Sequence, residues 1–245
     1  MCTLSWALEA KGYRLFFNRD EARDRAVGEP PRVWSEAGGE FLGPRDPQGE
    51  GTWIGVNAAG WTTAVLNLYG AGVDRGAGKR SRGLIVRELA PQREAGAAEA
   101  FLGPARLRDY APFHLVRVSP GGEGIRYSWD GSELTVQEAL EQHLPLTTSS
   151  FQTERVVARR RSIFGALNAA GKPTAETLAS FHRYFDPSDG AASVCMRRED
   201  AETVSLSEIC VGPKIVSFTY YVRQVERGGF EPPVRAELPR AKPGK

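Results

Sequence analysis

Cysteine stands second in this chain, directly behind the initiator methionine, in the stretch MCTLSW. A free thiol is usually an interior apolar group, and a chain end is usually frayed. A thiol at this position therefore points to chemistry. With Met1 removed, Cys2 would carry a thiol and a free α-amine on one residue. An amine whose reference pKa is about 8 is partly neutral near physiological pH, so it can act as base for its own side chain. The stretch FFNRDEARDR offers charged partners. Arg19 would favour the thiolate by Coulomb attraction, and Asp20 would orient the amine. The same residues also suit an exposed strand end followed by a solvated charge cluster.

Hairpin geometry connects the two stretches. CTLSWAL (2–8) and YRLFFNRD (13–20) read as short strands around EAKG. A two-residue turn, Ala10-Lys11, sets Cys2 opposite Arg19. A three-residue loop that includes Gly12 sets Cys2 opposite Asp20. Directly opposed side chains stand ~5 Å apart at Cβ, so both registers bring the chain start beside a charged group.

The bulk properties narrow the function classes. The chain has 245 residues, 41% of them apolar, and 32 basic against 30 acidic residues give a net charge of +2. That balance leaves no electrostatic footprint for nucleic acid. Three cysteines, at 2, 195 and 210, form no disulfide framework and suit a reducing compartment. No apolar run reaches the ~20 residues of a membrane span, and no signal peptide is read at the start. A cytoplasmic location is expected.

Strand-like and helix-like blocks alternate along the chain. Residues 25–51 read as Gly/Pro-rich loop with short strand pieces. TWIGVN-AAG-WTTAVLN and PFHLVRVS-PGG-EGIRYSW read as hairpins. Residues 83–102 have helical spacing interrupted at Pro91, and ERVVARRRSIFGALN places Val156, Val157, Arg160, Ile163, Phe164 and Leu167 at helical spacing. ETLASFHRYF predicts a short helix; SVCMRR, TVSLSEICV and KIVSFTYYVR predict late strands. The pattern predicts one α+β domain over 1–225 with mostly antiparallel strands, followed by a loose Pro/Gly/charged tail over 226–245.

MC at the start, FFNRDEARDR, GTWIGVNAAGWTTAVLN and VCMRREDAETVS together resemble the NRDE family, also called the transport-and-Golgi-organisation family. Its name comes from the tetrapeptide Asn18-Arg19-Asp20-Glu21. That family is in turn similar to the cysteine N-terminal-nucleophile hydrolases, among them bile-salt hydrolases and penicillin V acylases. The resemblance implies an αββα sandwich, two stacked antiparallel sheets between helix layers. It implies Cys2 as nucleophile, Arg19 and Asp20 beside it, and Asn67 as an oxyanion donor, a task a strand-end amide suits. Asn67 also suits a turn residue before LYG. Asn18, Ser149, Arg197 and Arg198 follow as expected substrate contacts. Ser149 or Ser150 stands where the hydrolases have a second asparagine, or caps the next helix. Of the adjacent Arg197 and Arg198 only one can face a site on an alternating strand. The implied activity is hydrolysis or acyl transfer at a non-peptide carbon–nitrogen bond of a small-molecule amide, without metal or cofactor. The alternative that the resemblance implies is a non-catalytic carrier handling haem or lipid, a hydrophobic cargo, in the same cleft.

Other signals rank lower. GAGKRSRG at 76–83 lacks the first glycine and the Ser/Thr of a phosphate loop and reads as a basic turn. ARRRS at 158–162 reads mainly as a polar helix face. His114, His143 and His182 lack metal-ligand spacing, and no G-x-S-x-G elbow is present. Cys195 and Cys210 read as buried and inert, and most of the five tryptophans as core.

Overall fold

Strict alternation along the first hairpin sets the architecture. In the computed structural model, which describes residues 1–69, 80–224 and 228–241, β1 (Cys2–Glu9) and β2 (Gly12–Ala22) are both buried over most of their length. Successive side chains leave a strand on opposite faces. Leu4, Trp6, Tyr13, Leu15 and Phe17 therefore enter one core, while Ala7 and Phe16 enter another.

The remaining strands are β3 (Glu29–Glu36), β4 (Gly39–Arg45), β5 (Ile54–Asn57), β6 (Thr62–Asn67), β7 (Phe113–Val118), β8 (Gly124–Trp129), β9 (Leu134–Gln137), β10 (Leu146–Thr148), β11 (Ala201–Val211), β12 (Ile215–Gln224), β13 (Gly229–Phe230) and β14 (Val234–Pro239). They form two seven-stranded antiparallel sheets. One runs β10-β1-β2-β11-β12-β13, with β14 also on β12; the other runs β3 to β9 in sequence order. The helices are α1 (Gly83–Leu89), α2 (Ala97–Phe101), α3 (Pro104–Leu107), α4 (Thr153–Leu167) and α5 (Ala175–Arg183). The larger core joins both sheets and the buried face of α1; the smaller lies between the first sheet and α4–α5. This is the expected sandwich of two antiparallel sheets between helix layers. Among the described residues no helix is long and apolar enough to cross a membrane.

Several local expectations change. The tail expected to be loose over 226–245 supplies β13 and β14, and β14 pairs with β12 from Ile215↔Pro239 to Tyr220↔Val234. Charge and proline in VRAELP mark an edge strand here rather than disorder, with Leu238 buried in the main core. SVCMRR is not a strand: its residues form a compact turn, and Cys195 is buried within it. Cys210 is half-buried beside Arg14. Arg160, in the stretch read mainly as a polar helix face, is fully buried. The basic turn at 76–83 lies partly outside the described residues.

Gly12 fixes the hairpin register. Its φ of +136° is poorly available to other residues, and a Cβ there would meet the Val211 carbonyl oxygen at 1.9 Å. The turn is Ala10-Lys11, with Glu9↔Gly12 the last pair and Cys2↔Arg19 the first.

His182 locks the helix layer onto the sheet. Its Nε2 lies 2.8 Å from Ser5 Oγ and its Nδ1 lies 2.8 Å from Asn18 Oδ1. Burial, with the charges of Arg160 and Arg183, pushes its pKa from 6.5 down to about 3. Between those values the unfolded chain holds a proton that the folded chain does not. Stability must therefore fall as pH falls through this window, by about 1.4 kcal/mol per pH unit for this residue. His182→Gln, followed by urea unfolding across the window, should flatten the pH dependence of the midpoint. An unchanged slope would remove His182 as the cause.

Candidate active site

The chain start is not frayed. Met1 and Cys2 are only 7% and 8% exposed. The Met1 amine donates to the Asp20 carbonyl at 3.1 Å and to the Tyr69 hydroxyl at 3.3 Å, and the Asp20 amide donates to the Met1 carbonyl at 3.0 Å. Cys2 lies between Arg19 of β2 and Thr148 of β10. Of the two registers the sequence allowed, the one pairing Cys2 with Arg19 is formed.

Cys2 opens on a cleft of about 440 Å³ between the first sheet, the end of β6 and the start of α1. Its walls are charged. Arg19 sits 4.4 Å from the centroid of the Trp53 ring, 3.1 Å from Glu21 and 3.8 Å from Asp46. Arg25 lies 2.6 Å from Asp46 and 3.4 Å from Glu21. Burial alone would raise the Asp46 pKa, but the bond and charge of Arg25 hold it below the usual range. Arg80 and Arg82 complete the wall. Asn67, at the end of β6, lines the same cleft and donates its side-chain amide to the Tyr69 hydroxyl at 2.7 Å.

Two expected site residues point elsewhere. With Met1 in place, the Asp20 carboxylate does not face the amine; its main-chain oxygen does. The carboxylate faces the helix layer, 3.2 Å from the Arg160 guanidinium, and accepts from Thr203 Oγ1 at 2.6 Å. Strand alternation is the cause, because Arg19 and Asp20 leave β2 on opposite faces. A bulge in β11 between Thr203 and Ser205 keeps Thr203 opposite Asp20. Asn18 shares the Asp20 face. It is fully buried, donates to the His182 and Val194 carbonyls, and makes no part of the cleft wall.

Two of the remaining expected contacts, Ser149 and Arg198, meet the Met1 side chain. Ser149 Oγ lies 3.0 Å from Met1 Sδ and 2.6 Å from the Phe151 carbonyl oxygen. It forms a local turn before α4 and does not cap it; Gln152 is the N-cap residue. Arg198 directs Nη1 to Met1 Sδ at 3.7 Å and pairs with Asp200 at 2.8 Å. Arg197 is exposed. Of the adjacent arginines, Arg198 therefore faces the chain start. Sequence reasoning missed Asp46, Tyr69, Arg82 and Thr203, and read Trp53 as core more than as a cleft residue. Each lies far from the tetrapeptide along the chain, and only sheet pairing or loop closure brings it near.

The sequence profile of the Transport and Golgi organisation 2 family matches residues 1–212. The chain belongs to that family. No curated protein is similar to this family member in sequence. Solved structures share its fold. Penicillin V acylase from Agrobacterium tumefaciens has a TM-score of 0.57 at 12% identity, over 91% of this chain and 83% of that one. The Caenorhabditis elegans N-acylethanolamine-hydrolyzing acid amidase ortholog has a TM-score of 0.56 at 13% identity, over 86% and 93%. In this Transport and Golgi organisation 2 protein, burial pushes the Cys2 thiol from 9.0 up to about 11. The amino terminus and Arg19 pull it down, while Asp20 and Glu21 push it up. A thiol with this pKa is inert at neutral pH.

Protein that retains Met1 should therefore lose Cys2 reactivity toward iodoacetamide below about pH 10, as read by peptide mass spectrometry. Fast alkylation of Cys2 in Met1-retaining protein at pH 7 would contradict the burial argument.

Proposed function

We propose that this protein is an N-terminal-cysteine amidohydrolase, or an acyltransferase of the same chemistry, acting on a small-molecule amide once Met1 is removed. One observation carries the reading: Cys2 begins an interior strand, paired on both sides, and opens directly on a cleft that also holds the Asn67 amide. Removal of Met1 converts the Cys2 nitrogen into an amine. That amine takes the thiol proton, and the sulfur attacks the amide carbonyl to form a tetrahedral intermediate. Asn67 Nδ2, oriented by Tyr69, is the donor for the developing oxyanion. The carbon–nitrogen bond breaks as the ammonium returns its proton to the leaving amine. Water then cleaves the thioester and releases the acid; in a transferase a second amine takes the place of water.

Arg19 is held against Trp53 on the same face of the sheet as Cys2 and offers positive charge to the thiolate. Asp20 positions the chain start through its main-chain groups and through the buried pair with Arg160. The fold shared with a penicillin V acylase and an acid amidase ortholog supports this class of reaction. For the carrier alternative, the cleft walls carry arginine, aspartate and glutamate side chains, a poor lining for an apolar cargo.

Mature protein should turn over a simple chromogenic amide. Cys2→Ala should reduce that turnover to background with the fold intact by circular dichroism. Asn67→Ala should lower kcat by about 10²–10³-fold. Turnover retained in Cys2→Ala would overturn the assignment. Asp20→Asn should destabilise the fold by about 3–5 kcal/mol, because it leaves the Arg160 guanidinium buried without its counter-charge. Denaturant unfolding reads this directly.

A further inference from the structure

Met1 stands between two cavities. The larger is the charged cleft of about 440 Å³; the smaller, of about 160 Å³, is lined by Tyr69, Ser150, Arg198 and Ala201 among others. Met1, Asp20 and Glu21 are the residues common to both walls. Asp20 and Glu21 are fixed in β2, whereas Met1 is the residue whose removal the chemistry needs. Its side chain is buried against Met196 and Ala201, with Sδ near Ser149 and Arg198. Loss of Met1 would empty this slot, apolar on its Met196 and Ala201 side and polar where Ser149 and Arg198 meet it, and join the two cavities in one groove running past Cys2.

The ends of that groove differ in chemistry. In the larger cleft Arg19 and Arg25 are balanced by Glu21 and Asp46. Arg82 lies outside that ion-pair network. Its Nη1 donates to the Pro112 carbonyl at 3.1 Å, and among the described residues it has no ion pair. Burial lowers its pKa, so its charge is poorly solvated. Arg80 lies beside it in the wall, 4.0 Å from Glu88 and with its guanidinium carbon 5.3 Å from the centroid of the Tyr110 ring. Among the described residues Arg82 feels the Glu21 charge but is bonded to no carboxylate. The other end, once vacated, is a slot shaped by an unbranched methionine side chain and floored by Met196 and Ala201.

We propose that the groove takes amides joining a carboxylate-bearing group to a short unbranched aliphatic chain. The carboxylate binds Arg82 and the chain fills the slot left by Met1. This inference rests on the amidohydrolase reading above and names its substrate class.

The test uses mature protein and amides from acetyl to dodecanoyl on glycine, with the reversed succinate mono-alkylamides. Each is offered as the free acid and as its methyl ester. Free acids of butanoyl-to-hexanoyl length should be preferred over their esters by about tenfold or more in kcat/KM, the size of one charge-assisted contact. Arg82→Gln should erase the acid-over-ester ratio. Ala201→Val should shift the optimum to shorter chains, a change that a general loss of folding would not produce. Esters turned over as well as acids, or an optimum at dodecanoyl, would overturn the proposal and leave the amidohydrolase intact. No turnover of any member, with Cys2 of mature protein unreactive to iodoacetamide, would sink the amidohydrolase reading itself.

Discussion

A fully buried ion pair between Asp20 and Arg160 is the contact on which the rest of the site depends. Removing two charges from water is expensive unless every polar atom finds a partner. Here the partners are present. Arg160 also donates to Thr3 Oγ1 at 2.7 Å, to Thr147 Oγ1 at 3.1 Å and to the Ser193 carbonyl at 3.1 Å. Asp20 accepts from Thr203, and Thr203 Oγ1 receives the Met196 amide at 2.8 Å. One network thus joins β1, β2, β10, β11, α4 and the turn carrying Met196. That turn is a wall of the Met1 slot. Holding the end of the chain this tightly lets a cysteine at position 2 be a placed group.

The two faces of β2 divide the work. Arg19 and Glu21 line the cleft with Cys2, whereas Asn18 and Asp20 bind the helix layer. The NRDE tetrapeptide therefore carries two roles at alternating positions, one electrostatic and one structural. The Ser5–His182–Asn18 chain is the neutral counterpart of the Asp20–Arg160 pair on the same face.

Met1 unites the chemical and the spatial arguments. While present, it denies Cys2 a free amine and stands in the wall of both cavities. Its removal would supply the base and open the path together. The amine bonds of Met1 to Asp20 and Tyr69 show how closely the fold encloses this residue.

Local rules made much of this legible in the sequence. Period-two alternation and Gly12 marked the first hairpin, and opposite-strand geometry put the chain start beside Arg19 or Asp20. The cysteine at position 2 marked itself as a candidate nucleophile, and the resemblance to the NRDE family implied the αββα sandwich. What remained needed three dimensions. A hairpin could be one residue longer or shorter without changing its composition, and only the closure of Gly12 under Val211 selected Cys2↔Arg19. Helical spacing set Arg160 in line with Val156, Ile163 and Phe164 while its charge suggested a polar face, and neither says that this arginine meets a buried carboxylate. VRAELP read as tail because edge strands are polar by design. Asp46 and Thr203 carry no mark along the chain, and nothing local told Trp53 from the core tryptophans or Arg82 from the rest of a basic turn. Side-chain chemistry and strand period are local properties, written in the order of residues. The partners of a charge and the walls of a groove are set by contacts between distant segments, and only the packed structure decides those.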